Sequence, residues 1–297
     1  MRRERISENV YVFVSEQYAQ VTASAMLTER GAVLIDTLLY PSETREIKAF
    51  IEERLHTPVM YVINTHYHAD HTSGTWLFPN AQVISHALCF NLLDTLGRES
   101  LLDAQRTFAE FSGAEVILPQ LVFKDRVLRL DFGDVHLRLW QTPGHSPDSI
   151  VCLLEEERIL FAADTLMGVP HFVDGDYNAL IGSMRSLQHN NFEIIVQGHG
   201  DILMKGEIEP KITSDLAYMK SVLHYVSAAL KLPDATALTY LDSIGVERCG
   251  KSRLLLNGTV RDLHRANMRA LYHTLADARA KASTAEAEVE KTAKPGA

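Results

Sequence analysis

The stretch Ile63–Gly74, INTHYHADHTSG, crowds His66, His68, Asp70 and His71 into six residues, directly after a short apolar run. Packing gives no reason for this, because each group is costly to desolvate without a partner. A metal ion does give one. His66 and His68 leave a predicted strand two residues apart, so their side chains can share one cation. Asp70 and His71 follow in a loop and can turn toward a second. Zinc, with iron or manganese as alternatives, accepts imidazole and carboxylate in four- or five-coordinate arrangements. Two ions still need a further nitrogen each and a bridging carboxylate. His145 in TPGHS, Asp164 in FAADT and His199 in QGHGD fit that shortage. Any one of them alone would be read as a surface, capping or structural residue, and so are His56, His136 and His224. What sets the three apart is that each lies at a predicted strand end, beside a glycine or small residue that lets the backbone approach closely.

The elements that must position these groups follow from hydrophobic periodicity. NVYVFVSE, VTASAMLTE and GAVLIDT read as successive strands, with a turn at Arg30-Gly31. SETREIKAFIEERL has helical spacing, with Ser42 or Thr44 as cap and Ile47, Phe50, Ile51 and Leu55 on one face. PVMYVINTH is a buried-strand pattern that delivers the histidine cluster, and Ala81–Ser85 is another strand. VLRLDFGDVHLRLWQTPGH reads as two strands about an Asp-Phe-Gly-Asp turn, and SIVCLLEEERILFAADT as a second hairpin. FEIIVQGHG supplies a last short strand. From residue 207 the pattern turns helical, in EIEPKITSDLAYMKSVLHYVSAALKL, TALTYLDSIG and NGTVRDLHRANMRALYHTLADARAKA. The expected organisation is a catalytic domain over 1–206, a helical region over 207–282 and a flexible tail over 283–297. Mixed strands and helices followed by helices predict an α/β protein of two packed sheets with helices outside. The apolar stripe of the long helix, with Met219, Leu223, Val226 and Leu230, reads as a packing face. The sharper alternative lays SDLAYMKSVLHYV over the metal cleft, as a pocket wall or a homodimer contact.

Bulk properties narrow the class. A chain of 297 residues that is 46% hydrophobic can bury one large core. A net charge of −9 argues against nucleic acid as the main partner. Cys89, Cys152 and Cys249 are odd in number and far apart, which reads as reduced, partly buried thiols. MRRERISENVYVFV has no h-region of a signal peptide, and no apolar run reaches membrane-spanning length, so a cytoplasmic protein with no membrane partner is expected.

The string His66-Tyr67-His68-Ala69-Asp70-His71 resembles the HxHxDH signature of the metallo-β-lactamase-fold hydrolases. The later histidine in a TPGH turn matches His145, the strand-end aspartate Asp164 and the final strand-end histidine His199, in the family's order, over roughly residues 8 to 202. The resemblance implies an αββα sandwich, here with a C-terminal helical extension, and metals at one edge. It implies His66, His68 and His145 on one ion, Asp70, His71 and His199 on the other, and Asp164 between them. Asp36, ending VLID, matches an acid that orients a ligand.

Two dications can lower the pKa of a shared water from about 15.7 toward about 7, giving a hydroxide that attacks a carbonyl. Asp70 is placed to orient that nucleophile and carry its proton. The expected substrate is a small acyl compound: a lactone, ester or thioester. Most zinc β-lactamases of the family lack the bridging aspartate, and Asp164 is present. Glyoxalase-II-type thioesterases follow it with a glutathione-linked stretch, where LMGVPHFVDGDYNA stands instead. Homoserine-lactone lactonases carry a tyrosine three residues after it, where Met167 stands. Tyr67 or Tyr177 could replace that hydroxyl, and His171 lies in the same loop. Two rivals share the fold: a mononuclear-iron persulfide dioxygenase, which would do redox chemistry, and a phosphodiesterase.

Overall fold

The run Ile150–Leu154 is apolar at every position because both of its faces are buried. Ile150, Cys152 and Leu154 point into one hydrophobic cluster, and Val151 and Leu153 into another. A strand's period of two makes this division, and a strand covered on both sides loses its polar face. The same logic places Val33 and Ile35 on one side of their strand and Ala32 and Leu34 on the other.

The computed structural model describes residues 1–124 and 127–292. The first sheet holds seven strands in chain order: β1 (Arg2–Arg5), β2 (Val10–Val14), β3 (Thr22–Thr28), β4 (Gly31–Ile35), β5 (Val59–Ile63), β6 (Gln82–His86) and β7 (Leu121–Phe123). The second holds six: β8 (Val127–Asp131), β9 (His136–Gln141), β10 (Ile150–Leu154), β11 (Ile159–Ala163), β12 (Ile194–Gln197) and β13 (Ile202–Met204). Its spatial order is β13-β12-β11-β10-β9-β8. Val12, Ile35 and Ile63 of the first sheet meet Leu139, Phe161 and Val196 of the second between the layers.

Helices cover both outer faces. α1 (Pro41–Lys48), continued by a π-helical turn over Ala49–Arg54, packs Ile47 and Ile51 on Leu34 and Val62. Its cap is neither Ser42 nor Thr44: the helix starts after Tyr40 with Pro41 in the first turn, where a missing N–H costs nothing. α2 (Ala69–Thr72), α3 (Ala87–Leu92) and α4 (Arg98–Thr107) follow in the first half. On the second sheet lie α5 (Tyr177–Leu187), α6 (Lys205–Ala229), α7 (Asp234–Asp242) and α8 (Val260–Thr292). The result is an αββα sandwich with C-terminal helices. Tyr218, Met219, Val222 and Val226 of α6 share one cluster with Val151, Leu160 and Ile195. The long helix therefore turns Met219 and Val226, with Leu230 against them, to the core, whereas Leu223 of the expected stripe is exposed. α8 continues as helix past Ala282, and 293–297 of the expected tail lie outside the described residues. No helix of the described residues is long and apolar enough to cross a membrane.

A buried ionic knot fixes the C-terminal helices to the loop after β11. Asp215 on α6 is fully buried and accepts from Lys211 Nζ at 2.5 Å and Lys251 Nζ at 2.7 Å. Lys211 Nζ also donates to the Met167 carbonyl at 2.6 Å. Removing the carboxylate leaves two buried ammonium groups facing each other. Asp215→Asn is expected to destabilise the fold by about 3 kcal/mol, read as a lower midpoint in urea unfolding. An unchanged midpoint would mean that the knot contributes nothing.

Candidate metal centre

β9 and β11 both run antiparallel to β10, and β11 runs parallel to β12, so all three end on the same edge of the second sheet. His145 lies in the loop after β9, Asp164 directly follows β11, and His199 comes two residues after β12. On the first sheet β4 and β5 are parallel, and deliver Asp36 and His66 at their ends. His68 caps α2, which carries Asp70 and His71. The two sheets are stitched together at this edge: Thr22 N–H donates to the Gly198 carbonyl at 2.8 Å, and Ile150 N–H to the Thr65 carbonyl at 3.0 Å.

Side chains from both sheets converge. His68 Nδ1 lies 3.1 Å from His66 Nε2 and 2.9 Å from His145 Nε2. His199 Nε2 lies 3.2 Å from Asp70 Oδ2, and His71 Nε2 lies 3.9 Å from it. Asp164 stands between the two groups. Its Oδ1 is 3.3 Å from His71 Nε2, and its Oδ2 is 3.3 Å from His145 Nε2 and 3.4 Å from His199 Nε2. Donors of a tetrahedral ion with bonds of about 2.0–2.1 Å are separated by about 3.3 Å, so these spacings fit coordination. His66, His68 and His145, then His66, His71 and Asp164, then Asp70, His71 and His199 each form a group that could hold a metal ion. His71 Nε2 and Asp164 Oδ1 are buried without a hydrogen-bond partner. Orphaned polar atoms that face each other across such a short gap are what an ion would satisfy.

The opposite ring nitrogens are tied off. His71 Nδ1 is 2.8 Å from Asp36 Oδ2, His145 Nδ1 is 2.9 Å from the His171 carbonyl, and His199 Nδ1 is 3.0 Å from the Ala19 carbonyl. A carbonyl accepts only, so these Nδ1 atoms carry hydrogen and a neutral ring leaves its lone pair on Nε2, facing inward. Asp36 is itself held by the Thr65 N–H at 2.9 Å and the Thr65 hydroxyl at 2.8 Å. That hydroxyl lies 3.1 Å from His66 Nδ1. One carboxylate thus orients donors in both groups.

The charge states follow from position. Burial drives His145 down to about 3 and His66 well below its ordinary value, so both are neutral. Burial also opposes charge on His199, yet Asp164 and Asp70 outweigh it and hold the ring at about 10. His71 is raised in the same way by Asp164, Asp36 and Asp70. Both raised values lie above 6.5, so without an ion these cations stabilise the fold fully below about pH 6.5, and the contribution fades as pH rises through about 10. Metal uptake must expel both protons. Affinity for the ion held by Asp70, His71 and His199 is therefore expected to rise by up to about a hundredfold per pH unit from pH 6.5 to 8, as two protons leave with that ion. His66 and His145, already neutral, add no such dependence at the other. Competition against a chromophoric chelator would check this, and a flat profile would refute it.

The other residues singled out in sequence fare differently. His171 is near the centre, its ring 5.9 Å from that of His145. Met167 is buried in a small apolar cluster with Ala19 and Leu256. Tyr177 points its hydroxyl at the Met219 carbonyl, 2.9 Å away, and packs on Phe172. Tyr67 does flank the centre, with its ring 4.5 Å from that of His68. Two neighbours escaped the sequence reading. Asp174 Oδ2 lies 3.2 Å from His68 Nε2, and the Tyr18 ring sits 6.5 Å from that of His199. Neither stands in a motif. Only a prediction of which loops share the sheet edge could have found them.

Comparison with known proteins agrees with this geometry. The chain is similar to the lactamase-like protein aptB of Emericella nidulans, 30% identical over 178 residues, or 59% of this chain and 50% of that protein. It is 29% identical to the mitochondrial persulfide dioxygenase ETHE1 of Mus musculus over 138 residues, 46% of this chain and 44% of that one. The chain spans about half the length of the curated relatives it matches. Among solved structures it resembles the inverting sec-alkylsulfatase Pisa1 from Pseudomonas sp., with a TM-score of 0.70, 15% identity, and coverage of 92% of this chain and 50% of that one. The family model for the metallo-beta-lactamase superfamily matches residues 19–209, which hold all seven converging side chains, and the chain belongs to that superfamily.

Proposed function

We propose that the protein is a two-metal hydrolase of activated acyl bonds in lactones, esters or thioesters, with zinc as its native ion. The observation that supports this best is the placement of Asp164, whose carboxylate lies 3.3 Å from His145 of one donor group and 3.3 and 3.4 Å from His71 and His199 of the other. Residues 66, 68 and 145 would hold one ion and residues 70, 71 and 199 the other. Bound there, the ions would supply a water of lowered pKa and a Lewis acid for the carbonyl. The chain's own residues do the rest. Asp36 and the Ala19 and His171 carbonyls fix the ring orientations in advance, so no reorganisation is needed during reaction. Asp70, with Oδ2 beside His199, is the group within reach to take and return a proton. The charge of Asp70, then burial, pushes Tyr18 up to about 12, and burial does the same to Tyr67. Both hydroxyls therefore remain protonated at neutral pH, on rings that flank His199 and His68.

The test is elemental analysis of the purified protein, together with a panel of lactones, esters, thioesters, a persulfide and bis-nitrophenyl phosphate, run with an oxygen electrode. Two zinc equivalents with acyl turnover and no oxygen uptake are the expected result. One iron with oxygen consumed on the persulfide would establish the dioxygenase reading instead. Turnover of the phosphodiester alone would establish the other rival.

A further inference from the structure

The segment between β6 and β7 builds a wall beside the metal centre. After α3 the chain makes a π-helical turn over Leu93–Gly97, enters α4, and returns through a 3-10 turn at Ala109–Phe111. Between this segment and α2 lies a cavity of about 380 Å³. Tyr67, His68 and Ala69 line it, so it reaches the metal centre at His68, the one donor residue among its lining. Leu93, Leu96, Leu101, Phe108 and Phe111 face it from the wall. Leu96 and Phe108 are 45% and 55% exposed. α4 has no fully buried residue. Apolar side chains left this open on a wall serve something other than the protein's own core. The volume and lining are those of a small-molecule site.

The charge pattern narrows the occupant. No lysine or arginine lines the cavity, and Glu115 stands at it. A carboxylate or phosphate buried among the leucines and phenylalanines of the wall would lose hydration and meet a like charge at Glu115, with no lysine or arginine to pair it. From this we infer that the cavity is an acyl-specificity pocket, which takes an uncharged alkyl or aryl group and leaves the polar remainder of the substrate outside. The inference rests on the acyl-hydrolase reading for its chemistry, and on the cavity alone for its binding.

Binding is therefore measured apart from turnover. Calorimetry with 1-butanol, 1-hexanol and 1-octanol on chelator-treated protein should show affinity rising about fourfold per added methylene. Ala104→Trp, which fills the cavity from α4, and Leu96→Glu, at an already exposed position, should each weaken octanol binding at least tenfold. On metal-loaded protein, the kcat/KM ratio of p-nitrophenyl octanoate to acetate should fall by a similar factor in both variants. Octanol binding equal in wild type and both variants would overturn the pocket. Alkanol binding as expected with no turnover of any lactone, ester or thioester of the panel would instead overturn the hydrolase reading and leave the pocket standing.

Discussion

Asp164→Ala is expected to abolish two-ion occupancy and lower acyl turnover by about a thousandfold or more, equivalent to about 4 kcal/mol of lost transition-state stabilisation. Asp164 is 3% exposed, and its carboxylate lies within 3.5 Å of His145 in one group and of His71 and His199 in the other. Its loss leaves five imidazoles and Asp70, with His71 and His199 stripped of the charge that does most to keep them protonated. Elemental analysis should then find at most one equivalent of metal. Asp36→Ala gives the scale. It removes no donor, only the contacts that orient His71 directly and His66 through Thr65, and should cost about 10- to 100-fold in metal affinity or activity. Full occupancy and turnover in Asp164→Ala would dismantle the two-metal proposal.

The second large effect needs no charge. A methyl group added at Gly198 would overlap Asp164 Oδ1 and lie 2.6 Å from the Ala163 carbonyl carbon. The Ala163 carbon and the Asp164 nitrogen, 2.8 Å away, are backbone, and the carboxylate could give way only by leaving the histidines. The Gly198 N–H donates to the Ala163 carbonyl at 2.8 Å, which holds the two backbones at this spacing. Gly198→Ala is expected to destabilise the metal-free fold by about 4 kcal/mol or more, and to displace the carboxylate from the histidines. A depressed Tm in chelator together with lost metal binding is the expected pair of results. A normal Tm would show that the strand ends can separate more easily than their hydrogen bonds imply.

The donor residues were legible in the sequence because few residue types bind metals and because strand ends can be read from periodicity. Buried strands such as Ile150–Leu154 and Ile159–Ala163 announce themselves as unbroken apolar runs. The wall between β6 and β7 did not, for a physical reason: α4 faces a cavity and solvent, so its apolar residues follow no core-facing stripe. α5 was likewise unread, although Asp176 caps it by accepting from Ala179 N–H at 2.6 Å. Met167 and Tyr177 illustrate a further limit. Position along a loop after a ligand does not say toward which side a residue points, and here Leu256 and Met219, distant in sequence, decide it.

The stitching of Ala19–Thr22 to Gln197–Gly200 has a consequence for synthesis on the ribosome. The Thr22 hydroxyl donates to the Gln197 carbonyl at 2.6 Å, and Gly200 N–H to the Gln20 carbonyl at 3.0 Å. A nascent chain can show His66, His68 and His71 early, but His145 is translated about 80 codons later and His199 about 130. Until residue 200 has left the exit tunnel, an ion captured by the early cluster has no closed cage to hold it, and long-range closure of this kind is slow. Ion retention thus reports that translation has passed both halves of the sandwich.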